Sequence, residues 1–172
     1  MKERKVTRLE NYDYSSDGYY FITIVTKDRE KILSEINLEN IIILTEIGKL
    51  IEKSILFINQ NENKVLEYII MPNHIHLIIK LKNSEKSILK IVEDFKKFTT
   101  RKIKKDYGKI LWQRSYYEKV IRNENQYIEL LNYIRENRCL SSKLSHFLIK
   151  TFYSFVSDLP LTWSLYLYGF GT

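Results

Sequence analysis

A chain of 172 residues that is 44% hydrophobic and 28% charged can bury one core, which excludes wholesale disorder. Five glycines and two prolines exclude a collagen-like or linker-rich chain, and the single cysteine, Cys139, excludes an internal disulfide and a cysteine-built metal site. Lysine plus arginine outnumber aspartate plus glutamate 28 to 21, a net charge of +7 that favours a polyanionic partner.

Taken in chain order, Tyr19–Thr26 is β-branched and aromatic and follows the turn-like Ser15-Ser16-Asp17-Gly18, so it is predicted as a strand. Residues 43–59 set Leu44, Ile47, Leu50, Ile51 and Ile55 at helical spacing. Lys64–Met71 is a second strand, Pro72-Asn73 a turn, and His74–Leu81 a third strand pairing with it as a hairpin. Ser84 is a suitable cap for a long helix reaching about Lys105, with Ile88, Val92, Phe95 and Thr99 facing inward. A fourth strand is expected between Ile110 and Arg122, and Asn123 caps a helix across Glu124–Arg138. Phe147–Val156 is apolar enough for another helix, and Trp163–Thr172 is aromatic without an assignable place.

The order β-α-β-β-α-β plus one helix is the ferredoxin-like split pattern: an α+β fold with an antiparallel sheet and two helices on one face, leaving the other face for a site. No internal repeat or linker divides the chain, so a single domain over 1–172 is expected. Met1-Lys2-Glu3-Arg4-Lys5 leads into polar residues, and no uncharged apolar run approaches the ~18 residues of a membrane span. A cytoplasmic protein without a membrane partner is the expectation.

Within the long helix, residues 86–105 hold Lys86, Lys90, Lys96, Lys97, Arg101, Lys102, Lys104 and Lys105 against Glu93 and Asp94, so this segment carries +6 of the net charge. Such a ridge fits the footprint of nucleic acid, and a solvated helix face accounts for it equally well. In the third strand, His74 and His76 share a side with Ile78 and Lys80, while Ile75, Leu77, Ile79 and Leu81 take the other. Two imidazoles so spaced can share a divalent metal, and two hydrogen-bonded surface histidines fit the same pattern. On the last helix, Tyr133 and Asn137 lie one turn apart beside the apolar stripe of Tyr127, Leu130, Leu131 and Ile134. Spacing alone does not rank Tyr133 above Tyr116, Tyr117 or Tyr127.

The run Tyr68-Ile69-Ile70-Met71-Pro72-Asn73-His74-Ile75-His76-Leu77-Ile78 resembles the Met-Pro-Asn-His-x-His signature of HUH-type single-tyrosine transposases, which are insertion-sequence-200-like; more narrowly, it resembles the REP-associated tyrosine transposase branch. Asn11–Thr26 is similar to the family's tyrosine-rich opening strand, Leu89–Ile103 to its basic helix, Leu111–Arg122 to its Trp-Gln-Arg aromatic block, and Tyr133-Ile134-Arg135-Glu136-Asn137 to its Tyr-Ile-x-x-Asn segment. Members usually continue with Pro-Val and a basic tail, where this chain has Arg138-Cys139-Leu140-Ser141, so the resemblance implies a core at about 10–138 and a divergent tail at 139–172. The resemblance implies metal-dependent nicking and strand transfer of single-stranded or hairpin DNA through a 5′-phosphotyrosine. It implies Tyr133 as nucleophile and Mg2+ or Mn2+ on His74, His76 and Asn137. The nucleic-acid contacts it suggests are Lys96, Lys97, Arg101, Lys102, Lys104, Lys105, Arg114, Tyr116 and Tyr117. A monomer and a homodimer both fit. The departure after Asn137 motivates a second reading, a hairpin-DNA-binding regulator without chemistry. An RNA-binding module is a third, and it leaves the paired histidines without a task.

Overall fold

The computed structural model describes residues 8–38, 41–59, 63–108 and 110–138. The expectations for Phe147–Val156 and Trp163–Thr172, and the extent of the domain past Arg138, lie outside the described residues. The elements are β1 (Gly18–Val25), β2 (Ser34–Ile36), β3 (Ile42–Leu44), α1 (Glu46–Leu56), β4 (Lys64–Met71), β5 (His74–Leu81), α2 (Ile88–Tyr107), β6 (Tyr117–Ile121) and α3 (Glu124–Arg138). A short 3-10 turn spans Lys27–Arg29. The main sheet runs β4-β5-β1-β6, antiparallel throughout, which is the split order expected; β2 and β3 form a separate two-stranded sheet. Among the described residues no helix is long and apolar enough to cross a membrane.

Strand alternation divides the core in two. Tyr20, Ile22 and Ile24 of β1 and Ile75, Leu77, Ile79 and Leu81 of β5 point to one side, where α1 supplies Ile51 and Ile55 and α2 supplies Ile88, Val92, Phe95 and Ile103. Phe21, Ile69, Met71, Ile78 and Ile121 point to the other, where α3 seats Leu131 and Ile134. The face expected to be left for a site is therefore partly roofed by α3, and His76 beneath it is only 5% exposed.

Several boundaries differ from the sequence expectation. Leu44 closes β3 and is not the first turn of α1, because Thr45 caps the helix: its Oγ1 accepts from Gly48 N and its own N–H donates to the Leu33 carbonyl. The cap of α2 is Ser87, whose Oγ accepts from Lys90 N. Ser84 instead accepts from Asn63 Nδ2 and donates to the Lys86 carbonyl. Gly108 ends α2 in the left-handed conformation at φ 68°, with its N–H on the Lys104 carbonyl. The β2–β3 hairpin was not foreseen, since three-residue strands carry too little alternation to register.

Candidate functional site

The β4–β5 hairpin turns on Pro72-Asn73 alone, with Met71 paired to His74. Its tip is pinned from two sides: Leu33 N donates to the Pro72 carbonyl, and Thr26, fully buried, donates its N–H and its hydroxyl to the Asn73 carbonyl. His74 therefore starts β5 from a fixed position. Its Nδ1 lies 2.7 Å from Asn73 Oδ1; that oxygen only accepts, so Nδ1 carries the proton and Nε2 keeps its lone pair. Two residues on, His76 pairs in register with Thr23 of β1, and Thr23 Oγ1 lies 2.8 Å from its Nδ1. Phe21 stacks on the His76 ring at 5.2 Å and 22°, and the two imidazole centroids are 4.7 Å apart.

Across this floor runs α3. Asn123 caps it, accepting from Gln126 N at 2.9 Å, as expected from the sequence. Tyr127 packs edge-on against Tyr19, and Leu131 and Ile134 sink into the sheet, each such burial worth about 1.5–3 kcal/mol. One step off that stripe, Tyr133 projects at the helix margin, 46% exposed, with its hydroxyl 3.3 Å from His76 Nε2 and its ring 5.2 Å from the imidazole. A neutral imidazole offers one donor and one acceptor. The tautomer that donates from Nδ1 to Thr23 leaves Nε2 to accept from the Tyr133 hydroxyl. Asn137 Nδ2 donates to the Tyr133 carbonyl at 2.7 Å, which sets its side chain beside the tyrosine's own turn.

Electrostatics keep both rings neutral near pH 7. Burial, then the neighbouring His74, pushes the His76 imidazole down to about 4. Burial, then the charge of Arg29, lowers His74. Arg29 reaches this position through a tight turn in which Asp28 and Arg29 both take left-handed backbone, φ 53° and 58°. Among the described residues no group of three or more His, Cys, Asp or Glu side chains is placed to hold a metal, so any ion would rest on the two imidazoles and uncharged donors.

The expected nucleic-acid residues fall in two places. A cleft of about 670 Å3 between α2 and residues 110–116 is lined by Lys96, Lys97, Arg101, Trp112, Arg114 and Tyr116. Within it, Lys96 Nζ donates to the carbonyls of Gln113 and Arg114, each at 2.8 Å, and lies 5.3 Å over the Tyr116 ring. That ammonium ties the loop to the helix. Lys97 pairs with Glu93 at 2.6 Å, and Lys102 lies 6.0 Å over the Phe98 ring. Arg101, Lys104, Lys105 and Arg114 are exposed. Tyr117 is apart from this cleft: it pairs with Thr23 in β1, hence stands on the same face as His76, and is 43% exposed. Thr23, Asn73, Phe21 and Arg29 were missed by sequence reasoning. Thr23 had one signal, a lone polar residue in the apolar run of β1.

Known proteins match both the sequence and the fold. The profile of the family described as "Transposase IS200 like" matches residues 14–137, which span every element from β1 through the Tyr133–Asn137 turn. An uncharacterized protein of Haemophilus influenzae is 31% identical over 166 aligned positions, covering 81% of this chain and 91% of the relative. Among solved structures, a REP-associated tyrosine transposase bound to a REP hairpin superposes with a TM-score of 0.56 at 21% identity, over 74% of this chain and 70% of its own. A candidate transposase from Deinococcus radiodurans R1 superposes with a TM-score of 0.50 at 19% identity, over 76% and 96%. With a family match over most of its length and the same fold in both solved relatives, the chain belongs to the IS200-like transposases.

Proposed function

We propose that this protein nicks and rejoins single-stranded DNA next to a hairpin of the REP type, with Tyr133 as the nucleophile. The observation that carries the reading is the Tyr133 hydroxyl 3.3 Å from His76 Nε2, beside the second imidazole of His74. In the reaction the Tyr133 oxygen bonds to the scissile phosphorus, the bond from phosphorus to the 3′ oxygen breaks, and the proton lost by the phenol is replaced on the departing 3′ oxygen through solvent. The products are a 5′-phosphotyrosine and a free 3′-OH. One phosphodiester replaces another, so attack by a 3′-OH reverses the step and joins strands without a nucleotide cofactor. The chain accordingly holds no Gly-x-x-x-x-Gly-Lys-Ser/Thr loop.

The donor set suits a divalent cation. Each imidazole is neutral and has its Nδ1 fixed by a protein oxygen, Asn73 for His74 and Thr23 for His76, which is how metal-ligating histidines are oriented. Mg2+ or Mn2+ on His74 and His76, with Asn137 Oδ1 as a third donor, would supply Lewis-acid polarisation of the phosphate. Phenols have a pKa of about 10, and an imidazole pushed down to about 4 is a weak base, so in the metal-free chain His76 Nε2 accepts from the Tyr133 hydroxyl without stripping its proton, and a cation on that same lone pair would displace this hydrogen bond. Arg29 adds positive charge on the His74 side, where a phosphate would sit.

Substrate binding falls to the basic cleft and the sheet floor. Lys97, Arg101, Lys102, Lys104, Lys105 and Arg114 follow the phosphates, Lys96 braces the cleft wall, and Tyr116 and Tyr117 offer rings to unpaired bases. Labelled hairpin DNA with a single-stranded flank, incubated with Mn2+, tests the proposal. The wild type leaves a covalent adduct; Tyr133→Phe leaves none while binding the DNA within about twofold. Adduct from Tyr133→Phe overturns the assignment of the nucleophile. A wild type that binds hairpin and never forms adduct is a DNA-binding regulator.

A further inference from the structure

The pairing of β4 with β5 slips at Leu66: Val65 faces Ile79 and Glu67 faces Ile78, so Leu66 is the extra residue of a bulge. Leu66 and Glu67 consequently sit side by side toward α3, whereas Val65 and Tyr68 turn to the opposite core. The Glu67 side chain is 14% exposed and meets two guanidinium groups of α3: Arg135 Nε at 3.5 Å from Oε2 and Arg138 Nη2 at 3.0 Å from Oε1. Arg138 also donates to the Tyr68 carbonyl and lies 5.8 Å over the Tyr68 ring. Tyr68 in turn donates its hydroxyl to Glu52 of α1 at 3.0 Å.

Exposed ion pairs are worth little, but this pair is lopsided: the carboxylate is recessed in the sheet while the arginines are half exposed. The apolar grip of α3 is small, with Leu131 and Ile134 its buried residues. Tyr133 itself is 46% exposed, and both arginines follow it within five residues along the same helix.

We infer that Glu67 is a positioning residue that clamps Arg135 and Arg138 and thereby holds the Tyr133 hydroxyl over the histidine pair. The inference rests on the proposed role of Tyr133, and its test separates the two. Glu67→Gln, the pair Arg135→Gln/Arg138→Gln, and the triple variant are compared with wild type in the full chain. Three quantities are read: single-turnover adduct formation at saturating hairpin DNA with Mn2+, DNA affinity, and hydrogen exchange of the amides of 124–138 without DNA or metal.

Glu67→Gln is expected to slow adduct formation at least tenfold with affinity within twofold, and to speed exchange in α3 at least tenfold while β1 and β5 stay protected. Adding Glu67→Gln to the arginine pair is expected to cost nothing further, the mark of residues acting as one unit. Unchanged rate and unchanged α3 exchange overturn the clamp. Exchange that rises equally in β5 also overturns it, since Glu67 would then be holding the fold at large. Faster α3 exchange in Glu67→Gln alongside a wild type that forms no adduct keeps the clamp and sinks the nuclease reading instead.

Discussion

Acid should loosen this protein at one identifiable place. His76 is held near a pKa of about 4 against an ordinary 6.5, because burial under α3 and the neighbouring His74 penalise its charged form. The unfolded chain therefore binds more protons than the folded one between those two values. Stability from this group is complete above pH 6.5, falls as pH drops toward 4, and is lost in full below it. A difference of about 2.5 units is about 3 kcal/mol, or roughly 10 °C in Tm for a domain of this size. Proton NMR of the His76 ring in metal-free protein gives the folded pKa directly. Melting curves from pH 7 to pH 4, wild type against His76→Asn, give the linked stability. The variant is expected to lose about 3 kcal/mol less than wild type across that interval. A His76 that titrates near 6.5, or parallel stability curves for the two proteins, refutes the account of the ring as buried beneath α3.

Two further outcomes follow from particular contacts. A Cβ on Gly48 would stand 2.0 Å from the Leu33 carbonyl oxygen, which also accepts from Thr45, so Gly48→Ala must push α1 away from the Leu33 backbone that leads into β2. A loss of about 2–4 kcal/mol is expected by chemical denaturation, and a neutral result refutes the close approach of Gly48 to Leu33. Arg101→Ala with Lys104→Ala removes two exposed cations of α2 without touching the Lys96 brace. The slope of log affinity against log salt for single-stranded DNA should flatten by about 1.4, and an unchanged slope takes this stretch of α2 out of the interface.

The sheet was legible because β5 alternates, β4 is an apolar β-branched run, and the two flank Pro72-Asn73, a two-residue turn that sets their register up to the bulge at Leu66. Asn123 as the α3 cap was legible for the same local reason. Ser87 and Ser84 were not separable, since both precede helix-forming residues and the choice is made by Asn63, 21 residues upstream of Ser84. Leu44 fits the helical spacing of α1 as well as it fits β3; a tertiary hydrogen bond from Thr45 to Leu33 decides between them. Tyr133 stood level with Tyr116, Tyr117 and Tyr127 on spacing. The Tyr-Ile-x-x-Asn resemblance ranks it first, and the physical reason is the crossing of α3 over β1 and β5, which brings in partners such as Glu67 some seventy residues away. Thr23, which orients His76 across the strands, is likewise a product of register, whereas Asn73 orients its own neighbour His74.

The position of β1 bears on how the chain is made. Both neighbours of this central strand come later in the chain: Thr23 pairs with His76 and Tyr19 with Ile121. During synthesis, Phe21 to Val25 leave the ribosome with no strand to bond to, and one edge of β1 stays open until β6 has emerged. Such wide separations make for slow closure and an interval in which a sticky apolar segment is bare. Emerging nascent chains should therefore lean on a holdase until nearly the whole core has been translated.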